Sequence, residues 1–252
     1  MPYVLVALLA VLLSSPVLAQ VAPSLGERRA LIKAMDMNVP PEAAERKARS
    51  EHALAAEGVP INSFLPVIEI EQSAQHRSKD EIARRALVLL SVAGKAEGMP
   101  QALLERILKN YELETSLSPK EKAFVGDAEP SLYDRQQFVW RYEAAWVLLW
   151  ALGYVDSLDK PAAIADVARA VRFMKERSAG QFMADAKLRP LSDILDQADK
   201  IYRYHWAVVD ARVNARPIPA GLNPDVILER HQALNWLIGH MGEAWDDIST
   251  DT

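Results

Sequence analysis

Signals that begin a helix recur along this chain, and they constrain its fold more than any other feature of the sequence. Residues 78–81 (Ser-Lys-Asp-Glu) and 118–121 (Ser-Pro-Lys-Glu) each have the form of a capping box. In this arrangement the serine oxygen accepts a hydrogen bond from an early amide, and the glutamate reaches back to the serine amide. Apolar residues at helical spacing follow the first box from Ile82 to Ala93, and Asn223 caps a further predicted helix. Strand patterns are scarce, so the sequence predicts an all-α single domain of about seven or eight helices.

Four further expectations concern the segments between these signals. Residues 59–71 alternate weakly between apolar and polar side chains, which predicts a short extended segment lying across the surface of the helices. One long helix is expected over residues 131–152, and another is expected to begin at Pro161, because proline suits the first helical turn. A further long helix is predicted to begin at Pro190.

The amino-terminal segment has the pattern of an export signal. Its apolar run from Val4 to Leu13 is roughly ten residues long, whereas a membrane span needs roughly twenty. Val17 and Ala19 supply the small-x-small pattern that precedes a cleavage site. No lysine or arginine precedes the apolar run, so an uncleaved anchor or a start further upstream is the alternative. Cleavage after Ala19 would leave one helical domain, residues 20–252, in the periplasm or outside the cell.

Composition and charge exclude several classes of function. The formal net charge of -5 is mild and acidic, which does not favour nucleic-acid binding. The chain has no cysteine, so disulfides, thiolate zinc sites and a thiol nucleophile are excluded. Apart from the amino-terminal segment, no stretch is apolar enough to span a bilayer, and we expect no stable membrane insertion after cleavage.

Glu143 lies in a helix that is apolar on every face, between Trp140 and Gly153. A carboxylate in such a position is paired or has a raised pKa, because an unpaired buried charge is costly. One interpretation is a structural ion pair with Arg85, Arg189 or Arg203. The other is a general base in a pocket lined by tryptophans. The sequence leaves both open.

Two later segments, residues 195–206 and 229–236, also combine aromatic and polar side chains. Asp199 and Arg203 are spaced as an i,i+4 ion pair. The histidines do not have the spacing of a metal site, and no sequence motif for a nucleophile, a phosphate loop or a dinucleotide is present, so we assign no catalytic residue, metal or cofactor. The polar residues that a chemical function would use are Arg85, Arg141, Glu143, Arg189, Asp196, Asp199, Arg203, His205, Glu229, His231 and Asn235.

Several segments, in order, give the chain a resemblance to a known family. They are residues 76–78, 81–86, 140–144, 149–153, 188–189, 195–199, 202–206, 229–236 and 245–252. Through them the chain resembles the bacterial domain-of-unknown-function family 4272, from about residue 60 to the end. The resemblance implies one mostly helical domain and no established activity, and the export signal departs from the family pattern.

These observations give two hypotheses of different class. The first is an exported binding or interaction protein of the cell envelope, without catalysis or cofactor, whose partner is another protein; a specific version is an immunity-type inhibitor of a secreted toxin. The alternative is a hydrolase of envelope sugar or peptide that uses Glu143 or Asp199 with Arg203, His205 and His231. A large exposed apolar or acidic patch would favour the first, and convergence of those side chains on an open cleft would favour the second.

Overall fold

The structure is a computed structural model that describes residues 39–252, so the predicted export signal and its cleavage site lie outside the described residues. The described chain has no strand, which confirms the predicted all-α fold. Its helical segments are α1 Pro41–Ala56, α2 Lys79–Ala96, α3 Gln101–Asn110, α4 Pro119–Gly126, α5 Leu132–Val139, α6 Arg141–Ala151, α7 Val167–Lys175, α8 Ala179–Asp185, α9 Leu191–Val213 and α10 Pro224–Ile238. The predicted helix over residues 131–152 is divided at Trp140, which partly explains why the segments outnumber those expected.

The core is built around α2 and α6. Every residue of α6 from Tyr142 to Ala151 is buried, as its uniform apolar character predicts. This helix packs between α2 and α10, while α9 packs against α10 and α1 packs against α9. Leu89 on α2 and Leu148 on α6 are fully buried. Burial of such a side chain contributes about 1.5–3 kcal/mol each.

Both predicted capping boxes are present. The amide of Glu81 donates to Ser78 Oγ over 3.2 Å, and the amide of Ser78 donates to the Glu81 carboxylate over 2.9 Å. Ser118 and Glu121 repeat the arrangement over 3.2 and 2.7 Å. The helix predicted after Pro190 begins at Leu191, and Asn223 Oδ1 accepts from the amides of the first turn of α10.

The predicted start at Pro161 is wrong, because α7 begins at Val167 and is capped by the Asp166 side chain. The backbone before it is held in a non-helical path by contacts with α6 and α10. The carbonyl of Asp159 accepts from Arg230 over 2.8 Å, and the carbonyl of Pro161 accepts from the amide of Asn223 over 2.8 Å. Long-range partners therefore override the local preference of proline.

Residues 59–71 cross the helices as predicted, but as irregular backbone without strand pairing. Side chains of the helices bind its carbonyl groups instead. Lys47 donates to the carbonyls of Ser63 and Leu65 over 2.8 and 2.7 Å, and Arg203 donates to that of Pro66 over 3.3 Å. In the described part of the chain, no helix is long and apolar enough to cross a membrane.

Candidate functional site

The predicted polar residues do not form one site but separate clusters, and the first lies between α6 and α10. Arg141 donates to both carboxylate oxygens of Glu229 over 3.0 and 2.9 Å. Two residues further along α6, Glu143 accepts from Arg230 Nε over 3.2 Å and from the backbone amide of Ala165. Burial raises the pKa of Glu229, while Arg141 acts against that shift. The two ion pairs join the central helix to α10.

Glu143 is paired, but the three partners that the sequence predicted for it are wrong. Its partner is Arg230 on α10, four helices further along the chain. Arg85, Arg189 and Arg203 each bind other groups. No local signal identifies Arg230, because the pair is separated by 87 positions and depends on how α6 and α10 pack.

A second cluster joins α9 to α1. Arg203 donates to both oxygens of Asp199 over 2.8 Å each, and it lies 3.4 Å from Glu51. The predicted i,i+4 pair is therefore present, and it is buried rather than solvated. Asp196, which is more exposed, pairs with Arg49 over 2.7 Å.

Arg85 and Arg189 have structural partners of their own. Arg85 binds both oxygens of the buried Glu121 over 2.7 Å and the carbonyl of Ser116 over 2.5 Å. Arg189 donates to the carbonyls of Trp150, Val155 and Asp156 over 2.8–3.0 Å. In both cases a half-buried arginine side chain satisfies carbonyl groups at the end of a helix or in the loop that follows it.

Two histidines form a separate pair. Nδ1 of His205 on α9 lies 2.8 Å from Nδ1 of His231 on α10, with the rings at 87° to each other. One turn after His231, Asn235 donates to the carbonyl of Ser249 over 2.8 Å. Burial lowers the pKa of His231 to about 3. Burial also lowers the pKa of His205, although a hydrogen bond to the backbone of Thr250 acts against it. Both rings are therefore neutral at neutral pH, and one Nδ1 donates to the other.

His205 also forms part of the wall of an open cavity of about 630 Å³, between α9, the start of α10 and the end of the chain. Its charged lining residues are Arg212, Arg216, Asp225 and Asp251. None of the buried carboxylates of the predicted cluster lines this cavity. Among residues 39–252, no three histidine, aspartate or glutamate side chains are grouped so that they could hold a metal ion.

Helix α5 carries an exposed apolar face that was not predicted from the sequence. No residue of this helix is buried, and Leu132 and Tyr133 are 73% and 68% exposed. Beside it is a groove of about 550 Å³, whose lining includes Phe124, Phe138 and Trp245. The signal was available in the adjacent leucine and tyrosine of the first turn, but a sequence pattern cannot tell an apolar side chain that packs inward from one that does not.

Fold and contacts together define an all-α domain in which buried arginine–carboxylate pairs hold irregular segments against a helical core. The profile of the family described as "Domain of unknown function (DUF4272)" matches residues 46–248, most of the sequence, and the chain belongs to this family. The predicted resemblance is confirmed, and the matched region begins within α1 rather than near residue 60. No curated protein and no solved structure matches the chain.

Proposed function

We propose that this chain is an exported, non-catalytic protein of the cell envelope that binds another protein through the exposed face of α5. The observation that carries the proposal is the exposure of Leu132 and Tyr133, of which Tyr133 also lines the groove with Phe124, Phe138 and Trp245. Large apolar side chains exposed together at the edge of a groove mark many protein–protein contact sites. An immunity-type inhibitor of a secreted toxin is the specific version of this role.

The state of the buried charges also supports a role in binding. A general acid or base must reach its substrate, but Glu143 and Asp199 are 3% and 1% exposed and are bound to arginines. Their ion pairs explain why charged residues occupy the core without a catalytic task.

A matched pair of variants tests the binding face. The bait is the chain from residue 20 onward, and the test variant is Leu132→Glu with Tyr133→Glu. The control carries Val213→Glu with Met241→Glu, two other apolar side chains that are 75% and 77% exposed. We expect an envelope protein that wild type and control retain, that the α5 variant loses, and that binds the purified chain directly. A partner retained equally by all three, or no partner at all, would overturn the assignment of this face.

Export is tested separately, because it rests only on the first nineteen residues. Mass spectrometry of the native protein should find an amino terminus at Gln20 in the periplasmic or secreted fraction. A chain that still begins at Met1 in the cytoplasm would refute export while leaving the binding face open to test. For the inhibitor role, co-expression should protect cells from the secreted toxin of a neighbouring gene.

The hydrolase is the second candidate, and one observation favours it: His205 borders an open cavity of about 630 Å³, and its Nδ1 contacts that of His231. Its chemistry would have to begin at this imidazole, since Glu143 and Asp199 are bound to arginines. Release of soluble fragments from purified cell wall, abolished by His205→Asn, would support this function over the first.

A further inference from the structure

A second groove, of about 570 Å³, opens between α2, α3, α6 and α7. None of its lining residues belongs to the polar cluster or to the α5 face. Its walls are mainly hydrocarbon, from Leu90, Met99, Leu103, Ile107, Val171 and Met174. The volume lies within the range of roughly 300–1,000 Å³ that is typical of small-ligand sites.

Most of the polar groups in these walls are already bound. The Tyr111 hydroxyl donates a hydrogen bond shared between the carbonyls of Met174 and Arg177, at 2.7 and 2.8 Å. Ser91 donates to the carbonyl of Leu87 over 2.7 Å. A ligand in the groove would therefore meet an apolar surface along most of its length.

Glu97, at one end of the groove, is the exception. It is the C-cap residue of α2 and is exposed, and its carboxylate accepts a hydrogen bond from Tyr142 over 2.8 Å. Within residues 39–252 it makes no ion pair. Lys95, in the last turn of α2, turns away to bind Gln101 and the carbonyl of Val125.

The position of Glu97 concentrates negative charge. A helix C-terminus carries a partial negative charge, so a carboxylate there is disfavoured unless a cation is near. Lys175 also lines the groove, but it forms no ion pair with this carboxylate in the described structure. The Tyr142 hydroxyl orients the carboxylate without neutralising it.

We propose that this groove binds a small organic ammonium compound with an apolar body. The ammonium group would lie against the Glu97 carboxylate and the C-terminus of α2, whose partial negative charge favours a cation. The hydrocarbon body would displace water from the apolar walls. This ligand site is independent of export and of a protein partner at α5.

Three probes with hydrocarbon chains of equal length test the proposal: n-octylammonium, octan-1-ol and octanoate. Each is titrated calorimetrically into the intact protein, below its micellar concentration. We expect octylammonium to bind at least about tenfold more tightly than octanol, as a charge-assisted hydrogen bond provides, and octanoate to bind most weakly. Equal binding of ammonium and alcohol, or a preference for octanoate, would overturn the proposal.

Three variants separate the effect of charge from that of shape. Glu97→Gln keeps an oxygen that accepts from Tyr142 but removes the charge, so the ammonium should bind no better than the alcohol. Glu114→Gln removes an exposed carboxylate outside the groove and should leave the preference unchanged. Lys175→Gln should strengthen ammonium binding, since it removes the competing cation. A preference that survives Glu97→Gln would refute the role of this carboxylate even if the groove binds the probe.

Discussion

Nδ1 of His205 lies 2.8 Å from Nδ1 of His231, in a contact between α9 and α10 where one imidazole must donate and the other accept. Two fully protonated rings could not make this contact, since each Nδ1 would then carry a hydrogen. His231 is only 2% exposed, and the imidazoles of His205 and His240 are the titratable groups that act on it. His205 in turn is near Arg212 on its own helix and Asp251 in the last residues of the chain. Protonation of both rings would therefore break this contact between α9 and α10.

Acidification should therefore destabilise the protein. Burial lowers the pKa of His231 to about 3, whereas an unfolded histidine titrates near 6.5. Between these values the unfolded state binds more protons than the folded state, so the free energy of unfolding falls as the pH is lowered. The stabilising contribution is fully present above about pH 6.5 and amounts to a few kcal/mol. Urea unfolding measured from about pH 7 to about pH 4 should show this decline.

The comparison of variants identifies the group responsible. His231→Gln should make the decline shallower, and His52→Gln, at an exposed histidine, should not. Burial raises the pKa of Glu229, and this carboxyl contributes in the opposite sense, with stability that is lost as the pH rises through its folded-state pKa. Because Glu229 is common to all three proteins, its effect cancels between them. A His231→Gln protein as acid-sensitive as wild type would refute the assignment.

Removal of Glu143 should be among the most costly changes in the core. Its carboxylate satisfies both Arg230 and the backbone amide of Ala165. Glu143→Ala leaves a buried guanidinium unpaired, for which we expect a loss of about 3–5 kcal/mol in the free energy of unfolding. Asp185→Ala breaks the more exposed pair with Arg177 and should cost less than about 1 kcal/mol. Comparable losses for the two variants, measured by urea unfolding, would contradict the structural role of Glu143.

The sequence predicts the parts of this fold that are governed by local signals. The capping boxes at Ser78 and Ser118 are formed by residues within one turn, and the buried character of α6 follows from its own composition. Contacts between distant segments were not predictable in this way. Arg230 could not be assigned to Glu143 before the packing of α6 and α10 was known, and the expected start at Pro161 failed because those same helices hold the preceding backbone.

The candidate site was less predictable than the fold. The sequence offered the polar residues as one group that a chemical function would use, whereas the structure separates them into several clusters. The adjacent Leu132 and Tyr133 were visible in the sequence, but their exposure could not be predicted because it depends on which other helices pack against α5. The sequence did not indicate a ligand site at Glu97, because a single glutamate after an apolar helix is common. Only the groove beside this residue distinguishes it from other glutamates.

The two capping boxes offer a matched test of what a tertiary contact adds to a local one. Ser78→Ala should cost about 1 kcal/mol, the usual value for loss of an N-cap side chain. Ser118→Ala should cost more, because its hydroxyl also donates to Asp246 over 2.6 Å. A double-mutant cycle with Asp246→Ala should give a coupling energy of about 0.5 kcal/mol or more. Equal costs for the two serines, with no coupling, would mean that the hydrogen bond between Ser118 and Asp246 does not stabilise the fold.

Two glycine-to-alanine substitutions should differ in their effect on stability. Gly153 ends α6 with a φ of +77°, and its amide donates to the carbonyl of Trp150 over 2.9 Å. A Cβ there would lie 2.9 Å from the carbonyl oxygen of Lys187, a backbone atom that cannot move easily. Both the left-handed conformation and this contact disfavour a side chain, so Gly153→Ala should lower the free energy of unfolding by more than about 1 kcal/mol.

Gly126, the last residue of α4, is the control, since a Cβ built there meets nothing within 4 Å. Alanine has the higher helix propensity and restricts the unfolded chain, so Gly126→Ala should be neutral or stabilising by up to about 1 kcal/mol. Urea unfolding of the two variants beside wild type measures both effects. If Gly153→Ala were tolerated as well as Gly126→Ala, the close approach between the end of α6 and Lys187 would be wrong, and with it the way this backbone is held against the core.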